Sequence, residues 1–403
     1  MTNFLRTTST KSLIAAGLAS VGLFAGGAMV ATGAGSNDAT PAPKPLAKAV
    51  ADSLGSDVAF EGVSARVKFT NRLLDSSGIT SGTDPVMGGG SGRFWADPDG
   101  RFRIELQSDG GGGDAQIVSD GKQVWVNYAM AGAWKATLPS EESSKKYKDS
   151  EWPPSVKAVA RAIEAISGDA TVSGATPDNI GGRPAYTVEI SPKDTSGLFA
   201  GGKVSWDAEN GAPLAVSILA KGDSTPVLDM RATEVTFGPV DASVFDAAPP
   251  AGAKVVDLEA AKAELKKEKA ASKGRSDKPV TGREAVQAKL SFDLVAPATL
   301  AGRKLERVML VGEGKKAGAA LAYGSGMDAL LVVQMPDSGK KVGTGGDWSE
   351  EGISLPTEKI GSVEALKLGT PLGSAVSFVR DGVRFTVAGS VKADTTALAA
   401  SQL

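Results

Sequence analysis

Two short segments of this 403-residue chain, 92–106 and 117–128, each encode two strands joined by a tight turn. The first turn spans residues 97–100, and the second is the dipeptide Asp120-Gly121, a strong signal for a two-residue hairpin. Beyond the first turn, apolar residues alternate with arginine and glutamate, so every second side chain points to one face. The resulting sheet has one apolar and one charged face, and what covers the apolar face bears directly on function.

Composition limits the classes of function that are open to the chain. Hydrophobic residues make up 41% of it, which is enough for two domains with cores of their own. The 44 lysines and arginines nearly balance the 46 aspartates and glutamates, and no basic patch is interleaved with aromatic residues. The sequence therefore predicts no nucleic-acid partner.

The chain contains no cysteine and no histidine. This excludes thiol nucleophiles, thiolate and imidazole metal ligands, and every catalytic relay that depends on a histidine. The neighbouring acids Glu141-Glu142 and Glu350-Glu351 lie in polar stretches, where carboxylates are usually solvated. We therefore expect no catalytic activity, no metal and no cofactor.

Residues 1–34 have the composition of an export signal or of a membrane anchor. A charge-free stretch rich in alanine, glycine and leucine follows Arg6 and Lys11. The small residues around Gly33 suit a cleaved signal, whereas an uncleaved helix would hold the protein at a membrane. Both interpretations predict an extracytoplasmic protein, either secreted or held in the cell envelope. Residues 35–45 predict an exposed linker rich in proline and alanine.

The rest of the chain predicts two domains separated by a charged spacer. Residues 46–255 hold alternating strands, a short helix that begins at Leu46, and an amphipathic helix over 155–166. Residues 256–280 are dense in alanine, lysine and glutamate and predict an exposed linker helix or a flexible spacer. Residues 281–403 predict a smaller antiparallel sheet domain that ends in a short helix. Strands and helices do not alternate regularly, so the larger sheet is expected to be antiparallel and strongly curved.

A series of short motifs runs through residues 46–255, and their order and spacing are more specific than any one of them. The motifs are Phe60-Glu61-Gly62, Gly92-Arg93-Phe94-Trp95, Gly100-Arg101-Phe102-Arg103-Ile104-Glu105, Ser119-Asp120-Gly121, Ile180-Gly181-Gly182-Arg183-Pro184-Ala185-Tyr186, Trp206-Asp207, Gly211-Ala212-Pro213-Leu214 and Phe237-Gly238-Pro239-Val240-Asp241. At these residues the chain resembles the lipoprotein-carrier family, whose LolA-like fold is shared with RseB-type envelope sensors and with mycobacterial lipid-binding lipoproteins.

The resemblance implies an α+β fold: a strongly curved, unclosed antiparallel β half-barrel capped by helices, followed by a smaller C-terminal α+β domain. It also implies that the apolar cavity of the half-barrel takes up acyl chains of lipids or lipoproteins, as an outer membrane lipoprotein carrier does. A membrane protein is a possible further partner. Because two domains are typical of the sensor branch, an RseB-like envelope sensor that regulates a membrane anti-sigma factor is the alternative function.

Strand parity selects the side chains that are expected to line the apolar cavity. They are Val63, Val67, Phe69, Phe94, Phe102, Ile104, Tyr186, Val188, Val204, Trp206, Leu214 and Val216. Ordinary core residues packed under a helix produce the same alternation, so that alternative stays open at each of these positions.

Overall fold

The structure, a computed structural model, describes residues 40–55, 61–73, 85–86, 88–109, 114–128, 132–137, 160, 163–164, 167–249, 251–256, 280–339 and 356–403. The signal or anchor predicted for residues 1–34 lies outside these ranges. The same is true of nearly all of the helix predicted at 155–166 and of the charged spacer at 256–280. Among the described residues, no helix combines the length and the apolar character needed to cross a bilayer.

The first domain begins with helix α1 (Leu46–Leu54), which is followed by the strands of one large sheet. The strands are β1 (Val63–Asn71), β2 (Gly89–Ala96), β3 (Phe102–Ser108), β4 (Asp114–Ser119), β5 (Gln123–Tyr128), β6 (Gly132–Thr137), β7 (Ala170–Val172), β8 (Thr176–Ile180), β9 (Arg183–Pro192), β10 (Phe199–Asp207), β11 (Pro213–Ala220), β12 (Leu228–Phe237) and β13 (Lys254–Val256).

This first sheet is open, and its neighbouring strands are antiparallel except at one edge. The strand order is β13-β6-β5-β4-β3-β2-β1-β12-β11-β10-β9-β7, with β8 paired to β9 as a branch. Among the strands that the structure describes, only β13 and β6 run parallel. The strands β1 to β6 form one meander, and β9 to β12 form another. The two meanders are joined by the pairing of β1 with β12, because β1 has β2 on one side and β12 on the other. The predicted α+β fold class, with an unclosed antiparallel sheet and a second sheet domain, is confirmed.

The second domain contains an eight-stranded antiparallel sheet with the order β14-β15-β16-β17-β21-β20-β19-β18. Its elements are α2 (Arg283–Gln287), β14 (Thr299–Leu300), β15 (Arg303–Val311), β16 (Gly318–Tyr323), β17 (Leu330–Pro336), β18 (Thr357–Ile360), β19 (Val363–Thr370), β20 (Gly373–Arg380), β21 (Val383–Gly389) and α3 (Ala393–Ser401). One apolar core joins this sheet to α3, with Leu321, Val332, Phe378 and Ala399 among its buried members. The alternating C-terminal segments thus form strands because their apolar side chains share this core.

A carboxylate organises the first of the turns identified in the sequence. Asp97, which is 7% exposed, accepts hydrogen bonds on Oδ1 from the backbone N–H groups of Asp99 and Arg101. Its Oδ2 accepts from Nε of Arg101 at 2.7 Å, and the guanidinium of Arg101 lies over the ring of Phe245. The turn is therefore held by side-chain bonds as well as by backbone geometry, which fits the preference of aspartate for turns.

A second buried ion pair joins two of the sequence motifs. Nε of Arg183 donates to Oδ2 of the fully buried Asp207 at 2.7 Å, and the same guanidinium lies over the ring of Phe237. Asp207 also accepts on Oδ1 from the N–H groups of Glu209 and Asn210 in the turn that leads to β11. The arginine and aspartate motifs therefore fix the relative position of β9 and β10.

Glycines in β2 allow an unusually close approach of the neighbouring strand. A Cβ atom at Gly92 would collide with the carbonyl oxygen of Glu105 in β3 and would lie 3.0 Å from Cδ2 of Leu106. A Cβ atom at Gly90 would collide with the carbonyl oxygen of Gln107 in the same strand. Glycine inside a strand commonly marks such a close approach or a sharp bend.

Replacing Gly92 by alanine should therefore destabilise the protein by about 2 kcal/mol, because the added methyl group forces β3 away. Urea denaturation of the variant checks this. Ser91→Ala is the matched control, since Ser91 is exposed on the same strand and its loss should change the free energy of unfolding by less than about 0.5 kcal/mol. Equal stability of the two variants would contradict the close approach.

Candidate functional site

The strand register places the predicted lining residues on one face of the first sheet, which we call the apolar face. Directly opposite residues of antiparallel strands share a face, and one row can be followed across five strands. It runs through Phe69, Met230, Val216, Val204 and Val188. On the other side of β1, Ala65 is opposite Phe94, which is opposite Ile104.

All but one of the remaining predicted residues join the same face. Val63 and Phe102 are connected through Ala96, and Trp206 is opposite Tyr186. Val67 shares parity with Phe69 along β1. Leu214 is the extra residue at a register shift between β10 and β11, and it is buried in a separate cluster with Ile180, Ala185 and Ala215. The register thus brings eleven of the twelve predicted side chains to one face, and different parts of that face are packed to different degrees.

At one end, formed by β1 to β6, the apolar face packs against itself. Val63, Phe102 and Val124 are buried with Ala96 and Ala136 in one cluster. Partly buried side chains surround this cluster, including Phe94 and Ile104. This end has the contacts of an ordinary core, because its side chains are in close contact across neighbouring strands.

At the other end, the helix α1 covers the apolar face. Ala49 of the helix packs in one buried cluster with Tyr186, Val188 and Trp206, and Val204 lies against that cluster.

Two polar contacts fix the helix above these rings. Trp206 donates from Nε1 to the hydroxyl of Ser53 at 3.2 Å, and Tyr186 donates from its hydroxyl to the carbonyl of Ala42 at 2.6 Å. The buried Ser53 hydroxyl lies 2.8 Å from the carbonyl oxygen of Ala49 and 3.1 Å from that of Ala208. Four of the predicted lining residues therefore lie beneath a helix.

Between these ends lies a half-buried apolar stretch, which we call the central trough. Its members come from three adjacent strands and are Val67, Phe69, Val216, Ile218, Leu228 and Met230. Each is only partly buried, and the packed clusters formed by the described residues include none of them.

Glycines keep the sides of the central trough free of bulk. In the register, Gly90 lies opposite Phe69 and Gly92 lies opposite Val67. On the far side, Gly202 lies opposite Ile218. Since glycine has no side chain, these positions add nothing to fill the space beside the trough. The described part of the chain therefore leaves the centre of the apolar face open while both of its ends are packed.

A β-bulge in β12 places Leu228 and Met230 in the central trough, although strand parity does not select them. Arg66 pairs with Glu234 and the next residue, Val67, pairs with Ala232, so Thr233 is the extra residue of β12. A strict period of two would put Met230 on the face opposite to Val235. The bulge reverses this and places Leu228 and Met230 on the apolar face. Ile218, in contrast, follows directly from the parity of Val216.

The opposite face of the sheet carries exposed ion pairs on β1, β9, β10 and β12, together with the buried apolar residues Val118 and Trp125 on β4 and β5. Nε of Arg66 lies 2.8 Å from Oε2 of Glu234, and Nζ of Lys203 lies 3.4 Å from Oε2 of Glu189. These groups are well exposed, so each pair contributes little to stability. These ion pairs lie on the face opposite the central trough, and the six residues of the trough include no ionisable group.

No protein-family model matches the chain, and the curated proteins contain no match. Among solved structures, the chain is similar to MucB in complex with MucA(peri), with 15% identity, a TM-score of 0.35, and coverage of 88% of this chain and 95% of that one. It is also similar to a LolA superfamily protein from Nitrosomonas europaea, with 9% identity, a TM-score of 0.21, and coverage of 50% of this chain and 97% of that one. An outer membrane lipoprotein-sorting domain from Vibrio parahaemolyticus shows 10% identity, a TM-score of 0.18, and coverage of 50% and 96%.

The solved structures therefore include the LolA group that the sequence motifs resemble.

The anchoring of α1 can be tested at Ser53. Ser53→Ala should destabilise the protein by about 1–3 kcal/mol, because the indole N–H of Trp206 is then buried without an acceptor. Thermal or urea unfolding measures the loss. Adding Trp206→Phe to Ser53→Ala should cost less than the sum of the two single changes, since no unpaired donor is left. Additive losses would show that the two groups do not interact.

Proposed function

We propose that this is an exported, non-catalytic protein that binds an acyl chain of a lipid or lipoprotein along the apolar face, with the central trough as the contact surface. The observation that supports this most directly is that the described residues pack both ends of the apolar face and leave its centre only half-buried. The polar groups that fix α1 lie at one end, so the trough offers a ligand apolar contact and no catalytic group.

The size of the central trough favours a narrow ligand. Three adjacent strands span about 10 Å, and two residues on the same face of one strand are about 7 Å apart. A stable protein interface needs about 800 Å² on each partner, far more than this surface offers. An alkyl chain is narrow enough, and each buried methylene contributes about 0.8 kcal/mol.

The proposal includes the organisation of the whole chain. Residues 1–34 direct export or anchor the protein, and residues 46–255 form the acyl-binding domain. Residues 256–280 connect it to a second domain at 281–403. In this proposal the protein acts outside the cytoplasm, and its partners are acyl chains of lipids or lipoproteins.

A carboxylate placed in the central trough should prevent binding. Val67→Asp is expected to weaken the binding of palmitate at least about tenfold, because the acyl chain would bury the charge without a partner. Isothermal titration calorimetry with the full exported protein measures the change. Ser91→Asp is the matched control, since it adds the same charge at an exposed position of the neighbouring strand, and it should bind palmitate as the parent does. Equal affinities of the two variants would contradict the assignment of the trough.

The natural ligand can be sought by native mass spectrometry of the protein purified from its export route, followed by organic extraction. We expect a co-purifying acyl lipid that is lost in Val67→Asp. A folded protein that carries no lipid and does not bind palmitate would overturn the proposal. The RseB-like sensor, acting through protein contacts, would then be the remaining alternative.

A further inference from the structure

The loop between β9 and β10 is bonded to both domains. Asp194 in this loop uses its two carboxylate oxygens differently. Oδ1 accepts from the backbone N–H and the hydroxyl of Ser196, at 2.9 and 2.6 Å, which closes the loop on itself. Oδ2 accepts at 2.7 Å from the backbone N–H of Met327, which lies between β16 and β17 of the second domain. The same carboxylate thus shapes the loop and bonds it to the other domain.

Two further contacts extend this junction. The Ser196 hydroxyl, which donates to Asp194, accepts from the N–H of Asp328 at 3.3 Å. The N–H of Leu198 donates to the backbone carbonyl and to the hydroxyl of Ser390, at 3.1 and 3.0 Å. Residues 194–198 of the first domain therefore contact two separate loops of the second domain through directional hydrogen bonds.

Both sides of the junction present a glycine where a side chain would not fit. A Cβ atom at the buried Gly197 would lie 2.9 Å from Cβ of Met327 and 3.0 Å from the hydroxyl oxygen of Ser390. Gly326 has a φ of +81°, and a Cβ atom there would lie 2.5 Å from Oδ2 of Asp194. The two backbones therefore touch directly, and this close fit allows only a narrow range of relative positions.

Each contacting loop is held in place by its own domain. Lys221 donates from its backbone N–H to the carbonyl of Leu198 and from Nζ to that of Thr195, both at 2.7 Å. In the second domain, Arg303 donates from Nε to the carbonyl of Asp328 and from Nη2 to its carboxylate, both at 2.8 Å. Neither loop needs to reorganise in order to dock, so forming the junction costs little conformational entropy.

The loop also leads directly to the apolar face. β9 carries Tyr186 and Val188, and β10 carries Val204 and Trp206, which lie beneath α1. The two strands pair from Gly202 with Ile190 to Asp207 with Ala185, and the loop is the connection at one end of this hairpin. A shift of the hairpin would therefore move Asp194 and Gly197 against the second domain.

We propose that residues 193–198 form an interdomain clip that holds the second domain in one orientation and couples that orientation to the occupancy of the apolar face. The coupling rests on the acyl-binding function proposed above, whereas the clip itself does not. A ligand that enters beside β10 changes the hairpin, and the clip passes this change to the loops at Met327 and Ser390.

The clip keeps its charge at neutral pH. Hydrogen bonds from the Ser196 hydroxyl, and then from the backbone N–H groups of Ser196 and Met327, lower the pKa of Asp194 below its usual value. Its contribution is therefore present above the ordinary pKa of aspartate and is lost as the pH falls through the lowered pKa. The other charged groups around the loop are Lys193 and Lys221 on its own side and the Arg303–Asp328 pair across the junction. We therefore expect no change of the clip between about pH 6 and pH 8.

The absence of cysteine makes the clip directly testable, because two introduced thiols can be labelled without background. Spin labels at Lys122→Cys and Lys315→Cys, exposed positions of the two domains, report the interdomain distance by double electron–electron resonance. The parent should give one narrow distance distribution. Gly197→Leu should broaden it about twofold, because the side chain forces the loops apart. Thr195→Leu, at an exposed position of the same loop, is the control and should leave the distribution narrow.

Adding palmitate tests the coupling between the apolar face and the domain orientation separately from the clip itself. In the parent, saturating palmitate should shift the distance distribution. In Gly197→Leu, palmitate should bind with similar affinity by calorimetry and leave the broad distribution unchanged.

A narrow distribution in Gly197→Leu, with unfolding showing both domains folded, would overturn the clip. Binding of palmitate to the parent without any shift would overturn the coupling alone. Failure of the parent to bind palmitate would overturn the proposed function and the coupling that rests on it, while the broadening in Gly197→Leu would still support the clip.

Discussion

The fold depends on keeping one face of a large antiparallel sheet away from water. An open sheet whose strands alternate apolar and polar side chains exposes a continuous apolar surface, which is unfavourable in proportion to its area. This protein covers that surface unevenly. The strands β1 to β6 pack their side chains against one another, and α1 covers β9 and β10 at the other end. The pairs Arg66–Glu234 and Lys203–Glu189 on the opposite face are exposed and screened by solvent, so they contribute little to stability beside the burial of the apolar face.

The uneven cover gives the β9–β10 hairpin two roles. On the apolar face, its aromatic rings pack beneath α1, and the indole N–H of Trp206 donates to the hydroxyl of Ser53 in that helix. This bond matters because a buried indole N–H without an acceptor is costly. At the end of the hairpin, Asp194 and Gly197 contact the second domain. Of these two strands, β10 borders the central trough, and the loop that joins it to β9 contacts the second domain.

Much of the apolar face could be predicted from the sequence because the period of two persists through most strands. Parity alone selected residues such as Phe94 and Val216, which the register places on one face. It missed Leu228 and Met230, since Thr233 is bulged and the parity of β12 changes there. A bulge depends on how two strands pair, and the sequence of one strand contains no clear sign of it.

The sequence by itself determined the alternation, the turns and the absence of histidine and cysteine, because these are local properties or simple composition. Only the tertiary structure decided which part of the apolar face is packed and which part the described residues leave half-buried. The alternation that predicts a cavity is identical to that of a core, and the difference arises from what lies above each strand. The pairing of β1 with β12 and the contact of Gly197 with Met327 join segments far apart in the chain. Such contacts depend on the mutual fit of distant surfaces, which no local pattern contains.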